Sequence, residues 1–540
     1  MQAVVIVPFL KKEIMLLQNI TYTHPDRELL FAGLNVSINK HDKIALIGNN
    51  GAGKSTLLKI MAGELSPAIG FVKADSKPYY VPQIFGQFNN FTVAEAVQVA
   101  EKIMALHEIL NGHVTEENLT LLDDDWSVEE RCNEAFSYWK LHGLYLNQSM
   151  ATLSGGQKTK VFLAGIFIHQ PELVLLDEPS NHLDLESRNL LQDYIQQTNT
   201  TLIIVSHDRT LLNSLPLVYE LGKRGITVYG GNYDFYIKQK AIASEAFQQD
   251  LKSKEKALRK AKETEREAME RQNKLDARGK KKQEKAGLPT IVLHTLKNNA
   301  EKSTSRLKGV HVEKIAGISQ ELHQLRRDIP DADKMKMGFE TSGIHKGKIL
   351  FTANAINFGY GDELLWKKPL NFQIRSGERI ALTGSNGSGK TTLIKLLLGR
   401  LVPLAGTIAK GDLNSIYIDQ DYSLIANSLT VYEQARQFNS GFLQEHAIKI
   451  RLNRFLFPAN YWDKPCMALS GGEKMRLLLC CLTIRHQAPD LIILDEPTNN
   501  LDIQNIEILT SALNAYKGAL LVVSHDAYFL REIGIEREVL

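Results

Sequence analysis

The chain has 540 residues, 44% of them hydrophobic and 23% charged, with a net charge of +3, which is ordinary for globular domains. No apolar run reaches the roughly 18 to 20 residues that span a bilayer, and the four cysteines (Cys132, Cys466, Cys480, Cys481) lack CxxC spacing. The size allows two to four domains, with no membrane-spanning helix, disulfide framework or cysteine metal site, and a cytoplasmic location is expected.

Residues 1–14 read as an N-terminal extension, because "MQAVVIVPFL" has neither the leading basic residues nor the cleavage site of a secretory signal. A first strand is expected near "MLLQNITY". Next, "DKIALIG" is a short apolar strand ending in "GNNGAGKS", and "TLLKIMAG" continues it as a helix. A strand, a GxxxxGK[ST] loop and a helix make a phosphate cradle, since the glycines let backbone N–H groups converge at a helix N-terminus. Gly48, Asn49, Gly51, Gly53, Lys54, Ser55 and Thr56 form it, with Lys54 as the point charge and the Ser55 hydroxyl as a magnesium ligand. Gln83, ahead of a helical region, is placed to report metal occupancy to it. "LSGGQ" opens a helix and makes Ser154, Gly155, Gly156 and Gln157 a second anion-binding N-terminus. "LVLLDEPSNHLD" is a buried-strand run. It ends in Asp177, a candidate magnesium ligand, and Glu178, placed to polarise an attacking water. "LIIVSHD" ends on His207, a candidate contact for the γ-phosphate.

A long charged segment follows. From about Tyr236 to Glu284 the pattern is helical, with sparse apolar positions at Leu251, Leu258, Met269 and Leu275. On return, Ile315, Ile318, Leu322 and Leu325 step by three, four and three, a heptad seam. Two antiparallel helices of about 40 residues would reach roughly 60 Å, with "GLPT" turning the chain near Gly287–Pro289. Residues 251–290 hold 14 Lys/Arg against 7 Asp/Glu and residues 291–330 hold 7 against 4, a net +10 that leaves −7 elsewhere. A basic segment between acidic bodies points to a polyanion partner.

The motifs then recur. "GSNGSGKT" supplies Gly384, Asn386, Gly387, Gly389, Lys390, Thr391 and Thr392, and Gln420 repeats Gln83. "LSGGE" supplies Ser470, Gly471, Gly472 and Glu473. "LIILDEPTNNLD" supplies Asp495 and Glu496, and "LLVVSHD" supplies His525. Thr391, Gln420 and Asp495 repeat the candidate magnesium ligands Ser55, Gln83 and Asp177. A repeat this long means two copies of one domain. Alternating strands and helices make each copy α/β with a mostly parallel sheet. The offset is 337 residues at Gln83/Gln420 but 316 at Ser154/Ser470, so the first copy carries 21 extra residues around "ILNGHVTEENLTLLDDDWSVEE".

Cradle, glutamine loop, LSGGQ signature, "LLDEP", "LD" loop and "SHD" histidine, in this order, resemble an ATP-binding cassette protein over nearly all of 15–230 and 348–530. The resemblance implies two ATP molecules sandwiched head to tail. Lys54, Ser55, Gln83, Asp177, Glu178 and His207 would face Ser470 and Gly472, and Lys390, Thr391, Gln420, Asp495, Glu496 and His525 would face Ser154 and Gly156. An aromatic before each cradle would stack on adenine. Tyr360 fits that role, whereas the first copy has His24 there, with Tyr22 two residues earlier. Both glutamates are present, so both sites are expected to hydrolyse ATP.

Two cassettes without a fused membrane domain, a linker rich in Lys, Glu and Arg, and "SNHLD"/"TNNLD" loops resemble the ABC-F family. Cassette proteins with iron–sulfur or zinc modules would need cysteine clusters absent here. The implied architecture is an extension (1–14), a first cassette (15–235), a basic helical-hairpin linker (236–345, tip near 287–296) and a second cassette (346–540). The resemblance implies a cytoplasmic ATPase using ATP and Mg²⁺, a monomer whose cassettes pair within the chain. It further implies an arm entering the ribosomal E site towards P-site tRNA and the peptidyl transferase centre. Lys280, Lys281, Lys282 and Lys285 would meet RNA phosphates, and Leu288, Ile291, Val292, Leu293 and His294 would wedge or stack against bases. The implied role is antibiotic protection of the ribosome or translational rescue. The alternative is an ATPase subunit energising a separately encoded membrane transporter.

Overall fold

The computed structural model describes residues 12–24, 29–83, 86–222, 225–285, 305, 309–310, 312–326, 345, 347–360, 364–384, 387–499 and 501–539. By its contacts the chain forms two units, Met1–Tyr236 with Met335–Leu540, and Ile237–Lys334.

The first cassette runs β1 (Glu13–Thr23), β2 (Leu29–Asn39), β3 (Lys43–Ile47), β4 (Ile69–Ala74), β5 (Tyr79–Val81), β6 (Leu173–Asp177), β7 (Thr201–Val205), β8 (Leu217–Gly222) and β9 (Gly225–Tyr229). Its main sheet has the order β5–β6–β7–β3–β8–β9, parallel except for the β8–β9 pair. β6 and β7 are buried along their whole length, which is why "LVLLD" and "TLIIV" are continuous apolar runs rather than alternating ones. An antiparallel sheet β2–β1–β4 packs beside it.

The second cassette repeats this with β10 (Ile349–Asn357), β11 (Leu370–Arg375), β12 (Arg379–Leu382), β13 (Ala405–Lys410), β14 (Ser415–Ile418), β15 (Leu491–Asp495), β16 (Ala519–Val523) and β17 (Arg537–Val539). Its parallel sheet has the order β14–β15–β16–β12–β17, and its antiparallel sheet the order β11–β10–β13. The architecture is the one expected, two α/β cassettes with a long helical linker. No helix among the described residues is long and apolar enough to cross a membrane.

In each cassette a helical subdomain sits between the glutamine loop and the signature helix. Its first helix starts at a capping box, Thr92 with Glu95 and Thr430 with Glu433, which satisfies two orphan N–H groups at each start. The extra chain of the first cassette builds the helix Glu116–Leu122, packed on Ala100–Leu110. The acidic run there is partly internal. Asp125 accepts two bonds from Arg131, at 2.7 and 2.8 Å, and one from Lys102 at 3.1 Å.

The linker begins as a 53-residue helix, Tyr233–Lys285, about 80 Å long at 1.5 Å per residue. It starts earlier and runs longer than its apolar spacing suggested. Asn232 Oδ1 accepts from the Phe235 N–H at 3.1 Å, so the helix is capped just before the aromatic cluster "YDFY". Lys, Glu, Gln and Ala, all good helix formers, then carry it past its last apolar position. Residues 312–326 form a helix in which Leu322 is buried and Ile315, Ile318 and Leu325 are half-buried, as the heptad seam requires. Ion pairs Lys254–Glu321 and Arg326–Glu255 set the two helices antiparallel. Lys280, Lys281, Lys282 and Lys285 fall in the last turns of the first helix. The turn at Gly287–Pro289 and Leu288, Ile291, Val292, Leu293 and His294 lie outside the described residues.

Candidate nucleotide-binding sites

β3 and β12 deliver the chain to the phosphate cradles, and the helices Lys54–Met61 and Lys390–Leu397 leave them. Both helices are preceded by a left-handed residue, Gly53 at φ +97° and Gly389 at φ +94°. A side chain at Gly53 would also strike Leu30 Cδ2 at 2.7 Å, so only glycine fits. Lys54 Nζ donates to the Gly48 carbonyl at 2.8 Å, and Lys390 Nζ to that of Gly384 at 2.7 Å. Each ammonium is thus held over its own cradle. Asn386 lies outside the described residues.

Parallel register places the acids. Asp177 pairs with Val205 and Asp495 with Val523, at the carboxyl ends of neighbouring strands. The next residues, Glu178 and Glu496, take φ +51° and +47°. Non-glycine residues are rarely found in that region, and the same departure at both copies marks a functional turn. In the first copy the turn aims Glu178 at His207, whose Nε2 lies 3.3 Å from Glu178 Oε1. His525 Nε2 lies 3.4 Å from Glu496 Oε1.

These groups are poorly hydrated. Burial raises the Glu178 carboxyl above its usual range, and the Lys54 charge opposes it. Burial likewise lowers Lys54, with Glu178, Asp502 and Asp177 countering. His207 is pushed down to about 3 by burial, and His525 to about 4 by burial together with Lys390 and Arg188. Both imidazoles are therefore neutral at pH 7. They serve as hydrogen-bonding groups rather than cations. Asp177 Oδ1 is buried without a hydrogen-bond partner, and Glu178 Oε1 is buried with only the His207 contact, which is too poorly aligned to be a hydrogen bond. With the Ser55 hydroxyl beside Asp177, this all-oxygen donor set fits a hard divalent cation such as Mg²⁺.

A cavity of about 620 Å³ joins the two cassettes at the first cradle. Gly51, Gly53, Lys54, Ser55, Thr56, Gln83, Asp177, Glu178 and His207 line it from one side, and Ser470, Gly471 and Lys474 of the second signature from the other. The Asn50 N–H donates to Asp502 Oδ2 of the second cassette at 3.0 Å, closing the seam. The head-to-tail arrangement is therefore built into this site. The family model for the ABC transporter domain matches residues 31–181 and 367–499. ABC transporter F family member 5 of Arabidopsis thaliana is 30% identical over 525 residues, 92% of this chain and 70% of that one. The chain belongs to the ABC-F family. It is an ATPase. Another relative, Ribosome protection protein VmlR of Bacillus subtilis, is 29% identical over 96% of this chain and 85% of its own. Among solved structures, RNase-L Inhibitor superposes with a TM-score of 0.58 at 19% identity, over 96% of this chain and 86% of that one, a likeness of fold.

At the second site of this ABC-F chain, Asp184 of the first cassette is in electrostatic reach of Lys390 and His525, and Arg188 of Glu496. The motif order places Gln420 with Lys390, yet it lines the first cavity with Asp421 and Tyr422. These residues lead from β14 towards the subdomain that presents Ser470, so they form part of its wall. Ser154 and Ser470 each cap a signature helix through a capping box with Gln157 and Glu473. Gln157 and Glu473 thus bond their own helix starts. A side chain at Gly156 would meet the His182 carbonyl at 2.7 Å, and one at Gly472 would meet Asn505. These glycines are needed for packing within each cassette. Gly155 and Gly471 complete the same helix starts.

The adenine side differs between the copies. Tyr360 is 66% exposed, and its hydroxyl lies 3.1 Å from Thr392 Oγ1 at the start of the cradle helix. His24 lines the first cavity. Tyr22 turns away, edge-on to His24 and packed on Phe31 with ring centroids 6.2 Å apart.

Proposed function

We propose that this ABC-F ATPase binds the ribosome from the cytoplasm in its ATP-bound form, as a monomer whose own cassettes close on two nucleotides. The arm then enters the E site and acts on P-site tRNA and the peptidyl transferase region, protecting ribosomes from antibiotics or relieving stalled ones. The observation that carries this reading is the arm, a long helix in a segment of net charge +10 inserted between two complete sets of hydrolytic residues. A polyanion of RNA is the partner such a charge suits, and a relative covering nearly the whole chain is named for ribosome protection.

In this mechanism Ser55, Gln83 and Asp177 would hold Mg²⁺ in the first site, and Thr391 and Asp495 would hold it in the second. When bound, the ion neutralises charge on the β- and γ-phosphates. Lys54 and Lys390 meet the same phosphates. Glu178 and Glu496 orient the attacking water, and the neutral His207 and His525 hydrogen-bond the γ-phosphate. Tyr360 and His24 cover the adenines. ATP closes the cassettes, and hydrolysis releases them.

The test is co-sedimentation with ribosomes. Glu178→Gln combined with Glu496→Gln keeps the fold and the phosphate ligands, so ATP binding should persist. Turnover should fall by roughly 10²- to 10⁴-fold, the usual worth of a positioned acid–base group. The trapped protein should pellet with ribosomes in ATP and not in ADP. ATP-independent failure to pellet would overturn the ribosomal reading and favour a membrane partner.

A further inference from the structure

Each copy carries a tyrosine three residues before its glutamine, Tyr80 before Gln83 and Tyr417 before Gln420. Both phenols reach an acid of the nucleotide site. Tyr80 OH donates to Asp177 Oδ2 at 3.3 Å and Tyr417 OH to Asp495 Oδ2 at 3.0 Å. The register explains the coincidence. In the parallel pair β5–β6, Tyr80 stands opposite Leu175, two residues before Asp177, and in β14–β15 Tyr417 stands opposite Ile493, two before Asp495. Side chains two apart on a strand share a face, so each tyrosine lies along the row that ends in its aspartate.

We propose that Tyr80 and Tyr417 are positioning residues that hold one carboxylate oxygen of Asp177 and Asp495, leaving the other oxygen aimed at the divalent cation. The first site carries the argument furthest. Asp177 Oδ2 is occupied by the phenol, while Asp177 Oδ1 is buried with no hydrogen-bond partner, and the residue lines the nucleotide cavity. A carboxylate free to rotate would offer either oxygen. One held by a phenol, which stays protonated at neutral pH, offers only the second. In the other copy the Arg400 guanidinium sits 5.4 Å from the Tyr417 ring centre and fixes that ring. Each tyrosine also lies one residue before the end of the strand whose continuation carries the glutamine. In the first site the two metal-facing groups, Gln83 and Asp177, therefore hang from adjacent strands pinned at one point.

The proposal rests on the metal site described above, and its test separates the two. Tyr80→Phe with Tyr417→Phe keeps the rings and removes only the hydroxyls. Groups that orient metal ligands are commonly worth 10- to 100-fold in metal affinity. The double variant should therefore bind Mn²⁺ about 10-fold more weakly, measured by electron paramagnetic resonance with a non-hydrolysable ATP analogue bound. Binding of a fluorescent ATP analogue in EDTA and the melting temperature should match wild type. Mn²⁺ affinity equal to wild type would overturn the inference. Asp177→Asn with Asp495→Asn is run alongside. If it loses Mn²⁺ while the phenylalanine variant keeps it, only the tyrosine role falls. If it too keeps Mn²⁺, the metal site itself is misplaced and both fall.

Discussion

Replacing Tyr360 by alanine should weaken nucleotide binding at the second site far more than replacing His24 weakens the first. The Tyr360 ring is 66% exposed, and its hydroxyl is anchored 3.1 Å from Thr392 at the cradle helix, so a full face is free to stack. Loss of one aromatic face costs about 1–3 kcal/mol, or roughly 5- to 150-fold in affinity at 1.4 kcal/mol per tenfold. His24 offers a smaller face, and Tyr22 cannot replace it because it is packed on Phe31. His24→Ala should therefore stay below about tenfold, the lower part of that stacking range. The assay is titration of a fluorescent ATP analogue in two backgrounds, Lys54→Ala to isolate the second site and Lys390→Ala to isolate the first. Equal losses would refute the reasoning, because they would mean that the smaller His24 ring covers its adenine as well as Tyr360 does.

Arg209→Ala should lower the melting temperature by about 1–4 °C, because this 8%-exposed side chain bridges the cassettes to Glu532 at 2.8 Å and to Glu507 at 3.7 Å. Glu532→Ala should do less, since that carboxylate is 41% exposed, and an unchanged melting curve for Arg209→Ala would discount the bridge. Reversing the charge of Lys280, Lys281, Lys282 and Lys285 should reduce ribosome association and flatten its salt dependence while basal ATPase stays near wild type; co-sedimentation across a salt series checks this. Replacing residues 287–296 by a short Gly/Ser turn should leave ATPase intact and remove drug protection or rescue in cells, and a fully active replacement would make the arm a spacer.

The duplicated motifs made the fold and most of the first site legible, because phosphate chemistry constrains residue type and spacing together. Lys54, Asp177, Glu178 and Ser470 could be assigned to one cavity from family resemblance alone. What was not legible depends on register and packing. Tyr80 and Tyr417 look like ordinary strand aromatics until β5 and β14 are paired with their neighbours, although their shared 337-residue offset with the glutamines was there to be seen. Gln420 lines the first cavity because of the path its loop takes, which no spacing reveals. Arg209 stands where the second copy has Ala527, so repeat-matching passes over it. Helix length in the linker was underestimated because apolar spacing says nothing about a helix sustained by charged residues.

The left-handed turns at Glu178 and Glu496 bear on how any catalogue of substitutions at these positions would read. Asparagine and aspartate adopt that backbone readily, whereas valine, isoleucine and threonine resist it. A β-branched replacement would unseat the peptide that accepts Asn181 N–H and Asn499 N–H at the head of the next loop, and activity would vanish for reasons of shape. Asparagine would preserve the loop and remove the charge. The gap between those two classes of variant is therefore a direct measure of how much of each site's output is chemistry and how much is the bend that presents it.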